Sequence, residues 1–494
     1  MKRPEVKQVP TRYKNPLSKF KVRRSSACTN CLTCVKMCPH EVHQAPGGKI
    51  LPPLDNLCHG TACLDKDYYC VDSCPSGALT VTLNPSYEVL GDSRWTADLI
   101  LSTWHMAETG KPPTNGLDYK IGDSGGGFDR IEIISEEKEP PEAERDGIST
   151  AIKLNRRKDG RPEHEIPIPV YGGGMSFGSV SLATMLSRFK AYTAWGSFCS
   201  TGEGGFPDAL IPFSDHIITQ VATGLFGVRE ETIQRVPIIE FKYAQGAKPG
   251  LGGHLLGDKN TLAVAKMREA VAGTALFSPF PFHSVYSVED HKKHIDWIKQ
   301  MNPRALVSVK VSTPTDVDMV AVGSYYAGAH IIHLDGSYGG TGAAPDIAKK
   351  NIAMPIEYAI PKVHNFLAEE GVRDEMTLIV SGGLRTAHDV AKAIALGADG
   401  VVTGTADLVA LECVRCHNCE RGRGCPRGIA TTDPELSLMI DQDWGAQRVI
   451  NLFSAWRDQL ARILAGLGMK SVTELVGRTD CLRHLDYEND ARGK

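Results

Sequence analysis

Residues 377–409 read TLIVSGGLRTAHDVAKAIALGADGVVTGTADLV. Two short apolar runs, TLIV and GVV, flank TAHDVAKAIALG, whose apolar residues recur at helical spacing. Each run stops on small residues, SGG at 381–383 and TGT at 403–405. Continuous apolar strands separated by a helix indicate a parallel sheet, because the crossover lays its helix over the sheet face. The fold class that follows is α/β.

The same alternation runs through residues 165–410. In order, the strand candidates are IPIPVYGG (166–173), GSFCST (196–201), VPIIEFKY (236–243), ALFSP (275–279), ALVSVKVS (305–312), HIIHLDG (330–336), TLIVSGG (377–383) and GVVTGTA (400–406). Helical patterns such as NTLAVAKMREAVAG and SVEDHKKHIDWIKQM separate several of them. Eight such units predict a (β/α)8 TIM barrel, with a doubly wound sheet as the alternative. Barrel function gathers at the C-terminal ends of the strands, and the turns after strands seven and eight commonly hold a phosphate. Gly382, Gly383, Gly404 and Thr405 would bring backbone N–H groups close to that anion, unless they form tight turns only. Lys310 ends the run ALVSVK. It is either a surface lysine or a cation at the mouth, where it would stabilise negative charge on a cofactor such as a reduced flavin.

The eighth strand leads into ALECVRCHNCERGRGCPRGIATT (410–432), with Cys413, Cys416, Cys419 and Cys425 at C-x2-C-x2-C-x5-C-P spacing. A denser set lies near the N-terminus. CTNCLTCVKMCP gives Cys28, Cys31, Cys34 and Cys38 in the run of bacterial ferredoxins, and Cys58, Cys63, Cys70 and Cys74 form a looser second run that also ends in proline. The fourth cysteine of each run usually serves the other cluster. One [4Fe–4S] cluster is therefore assigned to Cys28, Cys31, Cys34 and Cys74, and the other to Cys58, Cys63, Cys70 and Cys38. Zinc ribbons are the alternative for C-x2-C pairs, and two C-x3-C-P endings argue against them.

The remaining sequence sets limits. The chain has 494 residues, 42% apolar and 23% charged, with a net charge of −3, so no charge excess points to nucleic acid. No apolar run approaches the roughly 18 residues of a membrane span, and the first residues lack a signal peptide's apolar core. Twelve of the fourteen cysteines are clustered, which favours cofactor ligation over disulfides. A cytoplasmic location is expected. The chain divides into an N-terminal extension (1–24), a ferredoxin-like domain (25–84), a linker and pre-barrel segment (85–164), the barrel (165–410), the cysteine loop (411–430) and a C-terminal helical segment (431–494). Within the linker, SRWTADLILSTWHMAETG reads as a helix and SEEKEPPEAERDG as a solvated connector. GAQRVINLFSAWRDQLARILAGLG reads as an amphipathic helix packed on the barrel or on a partner. Cys199 is expected as a buried residue of the second strand, Cys481 has no partner by spacing, and a lone histidine such as His283 is more often structural than catalytic.

Between 165 and 430 the motifs GGGMSFGSVS (172–181), STGEGG (200–205), KYAQGAKPGLGGHLLG (242–257), SPFPFHSVYSVEDH (278–291), VSVKVS (307–312), GGTGAAP (339–345) and SGGLRTAHDV (381–390) follow one another. In this order they resemble the FMN-binding synthase domain of glutamate synthase, and the N-terminal cysteines make the whole similar to the archaeal-type form fused to a ferredoxin domain. The resemblance implies FMN over the barrel mouth. Gly173, Gly174, Met175 and Ser176 would line its ring, Gln245 and Lys310 would lie near its polar edge, and Gly382, Gly383, Gly404 and Thr405 would hold its phosphate. Glu203 and Lys248 would bind 2-oxoglutarate or its imine. The implied reaction is hydride transfer to 2-iminoglutarate, formed from 2-oxoglutarate and ammonia, giving L-glutamate. In the family the loop after strand eight carries a [3Fe–4S] cluster. The four cysteines here predict [4Fe–4S] instead, with [3Fe–4S] and zinc as alternatives, making three clusters in all.

The motifs also depart from the family's pattern. Leu251 and His254 stand where Glu and Gln are usual, Ser337 and Tyr338 replace a His–Asp pair, and Ser200 replaces Asn. No cysteine at position 2 offers a glutaminase nucleophile, and neither a glycine-repeat domain nor a G-x-G-x-x-G unit is present. Separate glutaminase and glycine-repeat subunits, or free ammonia and an external donor such as reduced ferredoxin, would supply those functions. Two further readings stand beside the ferredoxin-linked synthase. One is the catalytic subunit of N-methylglutamate synthase, using methylamine, and the other is an FMN and iron–sulfur electron-transfer subunit of a larger redox complex.

Overall fold

The structure is a computed structural model that describes every residue except 1–2, 14–16, 114–118, 125–126, 135–144, 146, 346, 350 and 488–494. Most of the SEEKEPPEAERDG connector lies outside the described residues.

Eight parallel strands close into a barrel: β1 (Val170–Gly172), β2 (Cys199–Ser200), β3 (Ile217–Ala222), β4 (Ile238–Lys242), β5 (Leu306–Ser312), β6 (Ile331–Asp335), β7 (Thr377–Ser381) and β8 (Gly400–Thr403). Val401 to Thr403 of β8 register with Val170 to Gly172 of β1 and complete the ring. Every residue of β5 to β8 is buried. This follows from strands faced by helices outside and by side chains within.

Seven of the sequence-read strands are barrel strands, and one is not. ALFSP contributes only Leu276–Phe277, an outlying antiparallel pair with His254–Leu255. The strand it displaces is β3, IITQVA, buried throughout and preceded by a 3-10 segment, Asp208–His216. With no α-helix ahead of it, β3 breaks the strand–helix rhythm on which the sequence reading relied.

The covering helices are α1 (Ala97–Thr109), α2 (Leu182–Ala194), α3 (Glu230–Arg235), α4 (Leu262–Arg268), α5 (Val288–Met301), α6 (Val317–Ala327), α7 (Ile356–Glu369), α8 (Ala387–Ala395), α9 (Thr405–Ala410) and α10 (Gln442–Gly466). α8 starts where the Thr386 hydroxyl accepts the amide of Asp389, and α2 starts in the same way at Ser181. The pre-barrel helix read from SRWTADLIL is α1. α10 packs on α2, α1 and α8. Its Trp456 and Arg448 are buried, so this helix is seated on the barrel. The N-terminal extension lies along α10, where Asn451 Nδ2 donates to the carbonyl of Lys7 at 2.6 Å and Lys7 N donates back to Asn451 Oδ1 at 3.4 Å.

The N-terminal cysteine module hangs on an antiparallel pair, Phe20–Arg24 with Leu79–Leu83, so its sheet begins ahead of residue 25. Between these strands run a short helix, Thr33–Met37, and several 3-10 turns. Among the described residues, no helix is long and apolar enough to cross a membrane.

Candidate functional site

The mouth is assembled from the loops that follow the strands. The loop after β1 is tied to β8, with Gly173 N donating to Thr403 O at 2.7 Å. A Cβ on Gly404 would stand 3.3 Å from Met175 Cε, so the GGGMS and TGT segments adjoin. Beneath them Arg188 of α2 donates through Nη2 to Gly173 O at 2.8 Å and through Nε to Asp407 Oδ2 at 2.9 Å. Thr403 Oγ1 donates to Asp407 Oδ1 at 2.8 Å and meets the Tyr192 hydroxyl at 2.8 Å. These groups are buried.

Gly382 and Gly383 follow β7 with φ of 97° and 102°, a left-handed conformation open to glycine. A Cβ on Gly382 would lie 2.6 Å from Gly336 O, so this turn also needs the missing side chain. The loop after β6 lies across it, and the Tyr338 ring carries the Arg94 guanidinium at 4.1 Å. A Cβ on Gly340 would reach 2.4 Å from Thr405 Oγ1. The four candidate phosphate positions thus line one edge of the mouth, in a glycine cradle packed so closely against the β6 loop and Met175 that side chains on its glycines would strike them.

On the opposite edge, Glu203 faces Lys242 of β4 at 3.4 Å. Burial pushes its carboxyl up, but Lys242, Lys248 and Arg268 together outweigh this and hold it below its ordinary range. Lys248 is buried, and desolvation, reinforced by Lys242, pushes its ammonium down to about 8 against the opposing pull of Glu203. Arg268 Nη2 donates to Ser176 Oγ at 2.9 Å, connecting this cluster to the loop after β1. A Cβ on Gly253 would lie 1.9 Å from Glu203 Oε1, so the GLGGH segment presses against the carboxylate. Lys242 and Arg268 were missed in the sequence reading. Lys242 opens the KYAQGAK motif, and Arg268 is the arginine of KMREAVAG.

Between the two edges a buried polar chain threads the barrel interior. Gln220 donates to Glu240 at 2.7 Å, and Glu240 meets His333 Nδ1 at 3.0 Å. His333 Nε2 lies 2.8 Å from Ser381 Oγ, which donates to Asp335 at 2.6 Å, and Asp335 stands 3.4 Å from Lys310 Nζ. Burial raises the Glu240 carboxyl, yet His333, Lys310 and Gln220 bring it down to about 2. Lys310 is accordingly an interior cation, held beside Asp335. Gly246 N also donates to Asp335, at 2.9 Å, which draws the half-buried Gln245 segment over the end of β6. Paired and hydrogen-bonded charges of this kind fix the positions of their neighbours.

Among the residues that depart from the family's pattern, His254 stacks on Phe277 at 4.6 Å and Leu251 is exposed. Ser200 and Ser337 are buried. His283 is exposed, and Cys199 is buried in β2, as its sequence context implied.

Cys28, Cys31, Cys34 and Cys74 line one small pocket, and Cys38, Cys58, Cys63 and Cys70 line another. The grouping of these thiols crosses between the two runs. Among the described residues, no three Cys, His, Asp or Glu side chains converge tightly enough to hold one metal ion. In the loop after β8, Cys413, Cys419 and Cys425 are at least partly buried and Cys416 is exposed. The loop packs against the β6 loop, where a Cβ on Gly342 would stand 2.9 Å from Cys419 Cβ, and Lys259 Nζ donates to Cys419 O at 2.7 Å.

The fold is that of a (β/α)8-barrel protein, with the candidate site in the loops at the C-terminal ends of its strands. Residues 130–470 match the family described as the conserved region in glutamate synthase. A Thermotoga maritima protein named archaeal-type glutamate synthase (NADPH) is 36% identical over 483 residues, covering 92% of each chain. The archaeal glutamate synthase (NADPH) of Archaeoglobus fulgidus is 33% identical over 493 residues, covering 94% of each. That of Methanocaldococcus jannaschii is 42% identical over 354 residues, 72% of this chain and 68% of its own. The chain belongs to the glutamate synthase family of oxidoreductases.

Proposed function

We propose that this chain is an iron–sulfur flavoprotein that reduces 2-iminoglutarate, formed from 2-oxoglutarate and ammonia, to L-glutamate. The observation that carries the reading is the charge balance at the mouth, where Lys242, Lys248 and Arg268 surround Glu203, and Glu420, itself paired with Lys259, adds a weaker pull on Lys248. That surplus suits a substrate with two carboxylates, each able to take a charge-assisted hydrogen bond.

The residues present fit FMN. Gly382, Gly383, Gly404 and Thr405 would present backbone N–H groups to its phosphate, with no side chain at the three glycines to cover them, while Gly173, Gly174, Met175, Ser176 and Gln245 would line the ring. FMN, when bound, supplies hydride chemistry fed by single electrons, a conversion that iron–sulfur centres alone do not perform. Lys310, fixed by Asp335, would hold positive charge at the ring's polar edge. Lys248 and Arg268 would orient the substrate carboxylates, and Glu203 would hold both cations in place.

A ring of four thiols around a cavity suits a polynuclear cluster. Accordingly the two N-terminal sets and Cys413, Cys416, Cys419 and Cys425 are assigned three [4Fe–4S] clusters, with [3Fe–4S] as the alternative for the last. Electrons come from an external donor, either reduced ferredoxin or a partner that oxidises the NADPH in the relatives' names. Ammonia comes free or from a separate glutaminase subunit. The stacked His254–Phe277 pair and exposed Leu251 favour one second reading, in which the same pocket accepts methylamine and forms N-methylglutamate.

The test is anaerobic. The reduced protein is mixed with 2-oxoglutarate plus ammonium, or plus methylamine, and flavin reoxidation and the amino acid formed are followed. Glutamate from ammonium supports the first reading, and turnover with methylamine alone supports the second. No reoxidation with either overturns both and leaves an electron-transfer subunit.

A further inference from the structure

The chain passes into and out of the N-terminal cysteine module through a single waist. Just outside the paired strands, Asn84 N donates to Lys19 O at 2.9 Å and its buried Nδ2 donates to Ser18 O at 2.8 Å. On either side of this module in sequence, two described segments, one at Thr11–Arg12 and one at Asp92, contact the cysteine loop after β8.

The first is the N-terminal strap. Thr11 Oγ1 and Arg12 N donate to Glu412 Oε1 at 2.7 and 2.8 Å, and Arg12 Nε donates to Glu412 Oε2 at 3.0 Å. Arg12 also reaches Leu411 O at 2.9 Å, Arg427 O at 3.2 Å and Met439 O at 2.9 Å. From the far end of the loop, Arg427 Nη2 donates to the same Glu412 oxygen at 2.6 Å. Glu412 is fully buried, has a left-handed φ of 69° and immediately precedes Cys413. One carboxylate therefore closes the base of the loop and receives the strap.

The second turns at Asp92. Its Oδ1 accepts the amides of Arg94 and Trp95 at 2.9 and 2.8 Å, which fixes the side chain on its own turn. Oδ2 then accepts from Arg415 Nε at 2.9 Å and stands 3.3 Å from His417 Nε2, on either side of Cys416.

We propose that the cysteine loop after β8 is the seat to which the N-terminal module is bolted. Glu412 and Asp92 are positioning residues that fix the separation between this loop and the two N-terminal cysteine sets. The inference rests on the reading that all three sets carry clusters. Electron transfer falls steeply with distance, so a module held at two points of the receiving loop keeps a short, constant path where a tethered one would swing.

The test uses the full chain with its iron restored anaerobically and assayed per chain. Pulsed EPR on the reduced protein measures the distribution of distances between the N-terminal centres and the centre in the 413–425 loop. Two narrow components are expected, one for each N-terminal centre, both broadened at least twofold in Asp92→Asn and in Arg12→Ala at unchanged iron. A wild-type distribution as broad as the variants', or variants as narrow as wild type, overturns the proposal. Hydrogen exchange across residues 411–427 needs no metal and should quicken at least tenfold in Arg12→Ala, and unchanged exchange also overturns it. A wild type with iron in the N-terminal sets alone refutes instead the cluster assignment of the loop, and exchange then decides the anchoring by itself.

Discussion

Arg188 holds the carbonyl of Gly173 at 2.8 Å while its Nε holds Asp407 at 2.9 Å, so one buried guanidinium joins the first and last turns of the barrel mouth. Arg188→Met leaves Asp407 as an unpaired buried carboxyl, a loss of about 3–5 kcal/mol for a broken buried pair. The thermal midpoint should fall sharply. Arg188→Lys keeps a charge for Asp407 but gives up the two-pronged geometry, so it should recover part of the stability and little of the FMN affinity. Thermal scans with and without added FMN separate the two effects.

Gly253 cannot carry a side chain without displacing Glu203. Overpacking of this kind costs about 1–3 kcal/mol. If it is felt in the reacting complex, Gly253→Ala should lower kcat/KM for 2-oxoglutarate by roughly 5–150-fold. FMN content should be unchanged, because the cradle lies on the opposite edge. Steady-state kinetics with the flavin absorbance as loading control reads both.

Lys248 makes opposite contributions to binding and to stability. Its folded pKa is depressed to about 8, so the folded state binds fewer protons than the unfolded chain between about pH 8 and 10.5, and stability rises with pH across that window. Below it the buried ammonium costs about 3 kcal/mol, with the attraction of Glu203 already included. Lys248→Met should therefore be more stable than wild type at pH 7 and lose that advantage by pH 11. Substrate affinity should run the other way in the wild type, weakening as pH rises through about 8, and the variant should bind weakly at every pH. Denaturant titrations and binding isotherms between pH 6 and 11 test both halves.

The crossed grouping of the N-terminal thiols makes Cys38 and Cys74 diagnostic. Cys74→Ser should remove the cluster of Cys28, Cys31 and Cys34, about four iron atoms per chain, and leave the other intact. Cys38→Ser should do the reverse despite its place in the first run. Iron analysis and EPR of the two variants check the exchange, and loss of the same signal in both would refute the crossed assignment.

Much of the barrel was legible because β5 to β8 are mostly apolar, buried runs followed by small residues. β3 escaped because a 3-10 segment with an internal proline, Pro212, stands where a helix would have announced it. ALFSP took its place because a short apolar run reads alike in a barrel and in an outlying hairpin. The interior network also went unread, although its signal was available. Glu240 and Lys242, Ser308, Lys310 and Ser312, and His333 and Asp335 recur at every second position of otherwise apolar strands, as lumen-facing side chains must. The partnership of Lys242 and Arg268 with Glu203 has no such mark, since it depends on where two separate loops fold back over the mouth.

The hydrogen bonds between Lys7 and Asn451 span 444 positions of sequence. At about 5–20 residues per second, a ribosome presents α10 roughly 20–90 s after the strap has emerged. During that interval the strap has no seat, and neither does the arginine that closes the base of the cysteine loop. The strap is thus fastened long after it is made, once the helix that seats it has followed.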